Sequence, residues 1–270
     1  MNNKIYHGLA IVLFSGLAQI STAENYSSEL TASYQSANVD GQSDDMGMYG
    51  VVQKIYFSDV DTSVGPLAKA AFVSRASSYT IGYSENEDID AHTTHAAIDW
   101  LNKDTGLILS AAYSSDSIDT NGIDTDGAGS DQLELSVGKY VGETTTVSLQ
   151  YSRAEDKQNS DLVEDAYSLS ISHVGITDVS FAVEGSISMA DKLTDDEQFG
   201  LALSATLYPS SKLGIGAGFD IALADIDDDR VFAFAEWFFK PNVRGSATYY
   251  ISDQDNIDVT GLSLELSLRL

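Results

Sequence analysis

Leu262-Ser263-Leu264-Glu265-Leu266-Ser267-Leu268-Arg269-Leu270 alternates apolar and polar residues without a break. Successive side chains of an extended chain point to opposite faces, so leucine occupies one face while Ser, Glu, Ser and Arg share the other. Such a strand suits the closing position of an outer-membrane barrel, with one face against lipid and the other against a watery lumen.

Working back from it, period-2 segments separated by clusters of Asp, Asn, Gly and Ser predict fourteen strands. They fall near 26–37, 46–57, 74–84, 92–102, 105–115, 131–141, 144–153, 165–174, 177–189, 197–208, 211–223, 229–239, 242–252 and 257–270. Most approach the roughly nine to eleven residues that a tilted strand needs to cross a bilayer. The predicted fold class is therefore all-β, a transmembrane antiparallel β-barrel of about 14 strands, with 12 or 16 also compatible because Gly- and Ser-rich strands have soft boundaries.

The connections alternate in character. One set is tight: Asn102-Lys103-Asp104-Thr105, Val141-Gly142-Glu143-Thr144, Val174-Gly175-Ile176-Thr177, Pro209-Ser210-Ser211-Lys212 and Lys240-Pro241-Asn242-Val243. The other set is acidic: Asp40 to Asp45, Glu85 to Asp90, Asp116 to Asp131, Glu155 to Asp165, Asp191 to Glu197, Asp225 to Arg230 and Asp253 to Asp255. Outer-membrane barrels put short turns in the periplasm and longer loops outside, so the acidic set is expected at the external end. It holds 27 of the 41 acids, which concentrates negative charge at one mouth.

At the front, Lys4 precedes an apolar run from Gly8 to Ile20, and Ser21-Thr22-Ala23 offers a small-x-small cleavage site. The run is too short for the roughly 20 residues of a spanning helix, so residues 1–23 read as a signal peptide and 24–270 as the barrel domain. Removing Lys4 leaves 13 Lys and Arg against 41 Asp and Glu, a formal charge of −28. That balance excludes nucleic acid as a partner. Disorder is excluded too, since 43% of residues are hydrophobic and only 3 are Pro. With no Cys, neither a disulfide framework nor a thiolate metal site is available.

Facing follows from parity. Leu107, Leu109, Ala111 and Tyr113 oppose Ser110, Ala112 and Ser114, and Leu213, Ile215, Ala217, Phe219 and Ile221 oppose Gly214, Gly216, Gly218 and Asp220. A soluble sandwich would also alternate, but its outer face would carry many Lys and Glu. Here the polar face is mostly Ser, Gly and Thr, as a narrow lumen requires. Tyr34, Tyr83, Trp100, Tyr113, Tyr151, Tyr167 and Tyr249 sit near strand ends, where an interfacial girdle belongs. Strand 229–239 does not resolve: Phe232, Phe234 and Phe238 share parity with Glu236, so either a bulge flips the register or some Phe point inward.

Covalent chemistry finds no support. His92 and His95 are three apart on a strand and face opposite ways, His173 falls on the apolar face, and no G-x-S-x-G, H-E-x-x-H or phosphate-loop pattern occurs. The chain reads as a non-enzyme without a cofactor. The Asp119, Asp124, Asp126 and Asp227-Asp228-Asp229 runs could collect weakly held Ca²⁺ or Mg²⁺, with bridging to lipopolysaccharide as the sharper reading and solvated loops as the plainer one. Inward parity assigns Glu29 and the candidate pore-lining residues Lys54, Asp99, Glu134, Glu184, Asp220, Arg244, Glu265 and Arg269 to the lumen. Charged rings of this kind set ion preference, and the excess of acids predicts mild cation preference. Alternatively, several of these charges pair and brace the wall.

One connection on the tight side is long. Pro66 is placed to open a single helical turn that buries Leu67, Ala70 and Ala71 at the periplasmic end. The stretch Tyr56-Phe57-Ser58-Asp59-Val60-Asp61-Thr62-Ser63-Val64-Gly65-Pro66-Leu67-Ala68-Lys69-Ala70-Ala71-Phe72-Val73-Ser74-Arg75-Ala76-Ser77 resembles the Y-F-x-x-V-D-T-S-x-G-P-L-A-x-A-A-F-x-x-R-A-S signature of the general bacterial porin family, porin-like outer-membrane β-barrels of Gram-negative bacteria. Lys69 stands where Glu is expected in that family, Asp59 where Pro is common, and Leu270 where barrels usually end in Phe. The resemblance implies an outer-membrane channel.

The combined expectation is a channel for passive diffusion of small hydrophilic solutes or ions in a Gram-negative outer membrane. Its surroundings would be outer-membrane lipid and lipopolysaccharide, with a homo-oligomer left open. The alternative is a closed or narrow barrel acting through its acidic loops as adhesin, receptor or structural protein. Either 58–76 or 115–131 could constrict the lumen, and a filled constriction at 58–76 would favour the alternative.

Overall fold

A computed structural model describes residues 25–39, 46–86, 90–118, 128–159, 163–191, 197–222, 228–254 and 257–270. The predicted signal segment, part or all of each acidic loop and the Asp119, Asp124, Asp126 and Asp227 positions lie outside the described residues.

Fourteen strands form: β1 (Asn25–Val39), β2 (Met46–Asp61), β3 (Ser78–Asn86), β4 (Ala91–Leu101), β5 (Leu107–Ile118), β6 (Ser130–Tyr140), β7 (Thr145–Asp156), β8 (Val163–Gly175), β9 (Ser180–Asp191), β10 (Glu197–Ser210), β11 (Leu213–Ala222), β12 (Asp228–Lys240), β13 (Val243–Gln254) and β14 (Ile257–Arg269). Each pairs antiparallel with its sequence neighbours, and β1 pairs with β14, so the sheet closes on itself. Closure matters physically because a barrel with no free edge leaves no strand hydrogen bond unmade in lipid.

The quoted Leu/Ser stretch makes this closure. Leu266 lies opposite Ala32, and Arg269 opposite Glu29. At its end Leu270 accepts from the amides of Ser27 and Ser28, at 2.8 and 3.0 Å, and its own amide donates to Ser28 at 2.9 Å. Leu262, Leu264 and Leu266 project outward as the parity predicted, joined around the belt by Leu109, Leu149, Leu169, Ile187 and Ile215.

Most boundaries shift by up to three residues from the sequence reading, and two shift by four. β2 continues to Asp61, because a bulge between Tyr26 and Ser28 lets β1 stay paired as far as Asn25 opposite Asp61. β3 starts at Ser78 rather than 74, because Ser74 ends a helical turn and Arg75 then takes a left-handed φ of 52°.

The ambiguous strand resolves without a mid-strand bulge. β12 keeps an even register with β13 from Asp228 to Phe238, so Val231, Trp237 and Phe239 face out while Phe232, Phe234, Glu236 and Phe238 face in. Glycine on β11 makes room for them: a Cβ on Gly216 would collide with the Phe234 ring and come within 2.7 Å of the Ala205 carbonyl. Gly216→Ala is therefore expected to destabilise the barrel by about 1–3 kcal/mol, the usual cost of overpacking, read as an earlier urea midpoint.

Candidate functional site

Between β2 and β3 the chain leaves the wall and crosses the mouth at the tight-turn end of the barrel. Extended Pro66 precedes a single 3₁₀ turn, Leu67–Lys69, which runs into the helical turn Ala70–Val73. Segment 62–77, hereafter the strap, buries Leu67 and Ala70 as expected from their spacing, whereas Ala71, expected with them, is only partly buried. Ala70 packs with Tyr26, Tyr56 and Val60 of β1 and β2, backed by Ala71 and Ala76. Ala68, Phe72 and Val73 pack instead on Val174, Ala182 and Tyr208 of β8, β9 and β10. In the closed ring of fourteen strands β9 stands opposite β2, so these two clusters tie the strap across the diameter of the mouth.

Polar anchors reinforce the crossing. The Leu67 amide donates to Ser211 in the β10–β11 turn at 2.9 Å. The Leu67 carbonyl accepts from Arg269 of β14 at 3.0 Å, and Tyr140 of β6 donates to the Phe72 carbonyl at 2.7 Å. Lys69 Nζ lies 2.5 Å from Glu184 Oε1 on β9. Arg75 donates to the Gly142 carbonyl at 2.6 Å and stacks 4.5 Å from the Tyr140 ring centroid.

Arg269 is the most enclosed of these anchors, with its side chain 4% exposed. Its guanidinium lies between the rings of Tyr26 and Phe238, 4.4 and 4.6 Å from their centroids, and bonds Glu29 at 2.7 Å. A planar guanidinium suits this place because its faces stack on rings while its edge donates to two acceptors. Next to it Arg244 faces three carboxylates, Glu236 and Glu265 at 3.4 Å and Glu29 at 3.7 Å, and donates to Ser267 at 3.1 Å. Two arginines against three glutamates leave this cluster with one net negative charge.

The remaining predicted residues lie on the lumenal wall. Lys54 stands 3.7 Å from Asp99, which also accepts from Ser78 at 3.1 Å. Asp220 pairs with Arg230 at 2.7 Å. Glu134 accepts from Gln132 at 3.1 Å and has no ion pair among the described residues. Seven of the eight candidates are thus in ion pairs, and Arg269 braces the wall rather than presenting an open charge. Sequence reading named Glu236, Lys69 and Tyr56 without giving them a partner, and did not single out Arg230 or the rings Tyr26 and Tyr140. Glu236 carried a signal, being a carboxylate that shares parity with three Phe.

Above the strap the wall from β8 to β12 is lined by small polar groups. An open hollow of about 320 Å³ there is bordered by Ser170, Ser172, Ser186, Ser204, Glu184 and Asp220, with Phe232 at its edge. His95 faces inward and His92 outward against Tyr83, so the two do not meet. No group of three or more potential metal ligands occurs among the described residues.

A closed antiparallel barrel with an apolar outer belt and a polar lumen defines an outer-membrane β-barrel, the one sheet form whose backbone is satisfied in lipid. Solved structures agree on the fold. The Acinetobacter baumannii outer membrane protein Omp33 superimposes with a TM-score of 0.66 at 22% identity, covering 92% of this chain and 99% of that one. A bacterial polysaccharide outer membrane secretin gives 0.56 at 9% identity, with 92% and 99% covered. No family model matches the chain, and no curated protein does either.

Proposed function

We propose that the chain is a channel for passive diffusion of small hydrophilic solutes or ions across the outer membrane, with a mild preference for cations. The observation that carries this reading is the lumen itself: fourteen strands turn Ser, Gly and Thr inward and leave an open hollow above the strap. Cation preference rests on Glu134, which has no ion pair among the described residues, and on the net negative Arg244 cluster, because fixed charge in a low-dielectric tube biases which ion enters.

Glu134→Lys is expected to move the reversal potential under a KCl gradient towards anion preference. The shift should shrink on going from 0.1 to 1 M salt as the Debye length falls from about 10 to about 3 Å. A reversal potential that ignores this substitution removes Glu134 from the selectivity account.

The strap favours a second reading, a barrel narrow or closed at the periplasmic mouth that acts through its external loops as adhesin, receptor or structural protein. The observation behind it is the set of strap anchors on opposite walls. Conductance of the intact barrel beside that of a strap-replaced one separates the two: the channel reading expects open steps in both, the closed reading only after replacement.

A further inference from the structure

Among the inward-facing rings of the described residues, three, Phe232, Phe234 and Tyr250, each rest on a glycine of a neighbouring strand. Phe232 reaches over Gly218, where a Cβ would stand 2.5 Å from its Cζ; Phe234 covers Gly216 and Tyr250 covers Gly261 in the same way. A ring seated where a neighbour's side chain would be lies along the wall, so it offers a face rather than an edge to the lumen. Phe232 and Phe234 stack in sequence, centroids 6.3 Å apart and planes 27° from parallel. Gln35 donates to the Tyr250 hydroxyl at 3.0 Å and fixes that ring from β1. All three are only partly buried.

Beside this platform sits a planar polar pair. Arg230 bonds Asp220 through Nε at 2.9 Å and a terminal nitrogen at 2.7 Å. Its guanidinium lies over the Phe232 and Tyr250 rings, 5.3 and 5.9 Å from their centroids, so it forms part of the same lumenal surface as the rings. Ser204 and Asp220 border the same hollow as Phe232, whose volume of about 320 Å³ falls at the small end of ligand pockets, roughly 300–1,000 Å³.

We propose that this aromatic face and its Arg230–Asp220 pair form a lumenal binding strip for neutral saccharide rings. A pyranose has a C–H face, which an aromatic ring covers, and a girdle of hydroxyls, which need donors and acceptors in one plane. The strip provides both. Charge decides against the other occupants. A cation attracted to the rings meets Arg230, and an anion attracted to Arg230 meets Asp220 already bound to it, so the pair presents dipoles with no net charge. The inference deepens the channel reading and rests on it for the solute's route, although the strip exists whether or not the strap closes the pore.

Equilibrium binding to the full mature chain, folded in detergent, tests it by saturation-transfer NMR with maltotriose. Sorbitol serves as the ringless polyol, trigalacturonate as the anion and spermidine as the cation. Maltotriose is expected to bind, and the three comparators not to. Replacing both Phe232 and Phe234 by Leu keeps volume and apolarity but removes the flat faces, and is expected to weaken maltotriose about tenfold, as loss of an aromatic contact does. Phe232→Tyr keeps the face and is expected to keep binding, which separates loss of stacking from loss of folding. Unchanged affinity in the Leu variant, or sorbitol binding as well as maltotriose, overturns the proposal. A barrel that binds maltotriose but passes no current refutes the channel and leaves the strip standing; one that conducts without binding maltotriose does the reverse.

Discussion

Replacing residues 63–75 by a short Gly-Ser linker will raise the single-channel conductance of the refolded barrel several-fold. The strap crosses from β2 to the opposite strand β9, and its two apolar clusters lie on β1–β2 and on β8–β10. Between them its backbone and side chains are held by β6, β14 and the β10–β11 turn. Matter spread across the diameter of a tube limits ion flow more than any wall residue does, because conductance follows the narrowest section. The barrel itself should survive, since none of its interstrand pairs runs through 63–75. Equal conductance in planar bilayers before and after replacement would show that the strap is not the constriction.

Arg269→Ala should cost about 3 kcal/mol of unfolding free energy, the low end of the range for removing one partner of a buried pair. Two observations set this value. The guanidinium is 4% exposed and serves Glu29, the Leu67 carbonyl and two aromatic faces together. Against that, Arg244 remains 3.7 Å from Glu29 and partly compensates the orphaned carboxylate. Arg269→Lys should recover only part of the loss, since a point charge cannot bond both acceptors while stacking between two rings. Urea titration followed by heat-modifiable gel migration reads both variants. An unchanged midpoint for Arg269→Ala would mean the strap and the β1–β14 seam hold without this side chain.

How much of this could be read beforehand varied with the kind of interaction. β14 was legible because every second residue is Leu and the others are polar, so lipid and lumen sort them without tertiary help. Two of the strap's buried positions, Leu67 and Ala70, were legible from the spacing that follows Pro66, while Ala71, expected with them, is only partly buried. β12 was not, because its inward Phe break the rule that lumenal residues are polar, and the glycines that accommodate them sit on a different strand. The ion pairs were hidden for a related reason. Arg244 and Glu29 lie far apart in sequence and meet only because the barrel closes β1 on β14. Parity predicted that these charges face inward but carried no information on which acid each base would meet.

Single-channel recording of residues 24–270, refolded in a planar bilayer under a salt gradient, tests the central claim most directly. The account predicts small, stable open steps with a reversal potential on the cation side. A correctly folded barrel that gives no steps, or steps that prefer anions, would contradict it.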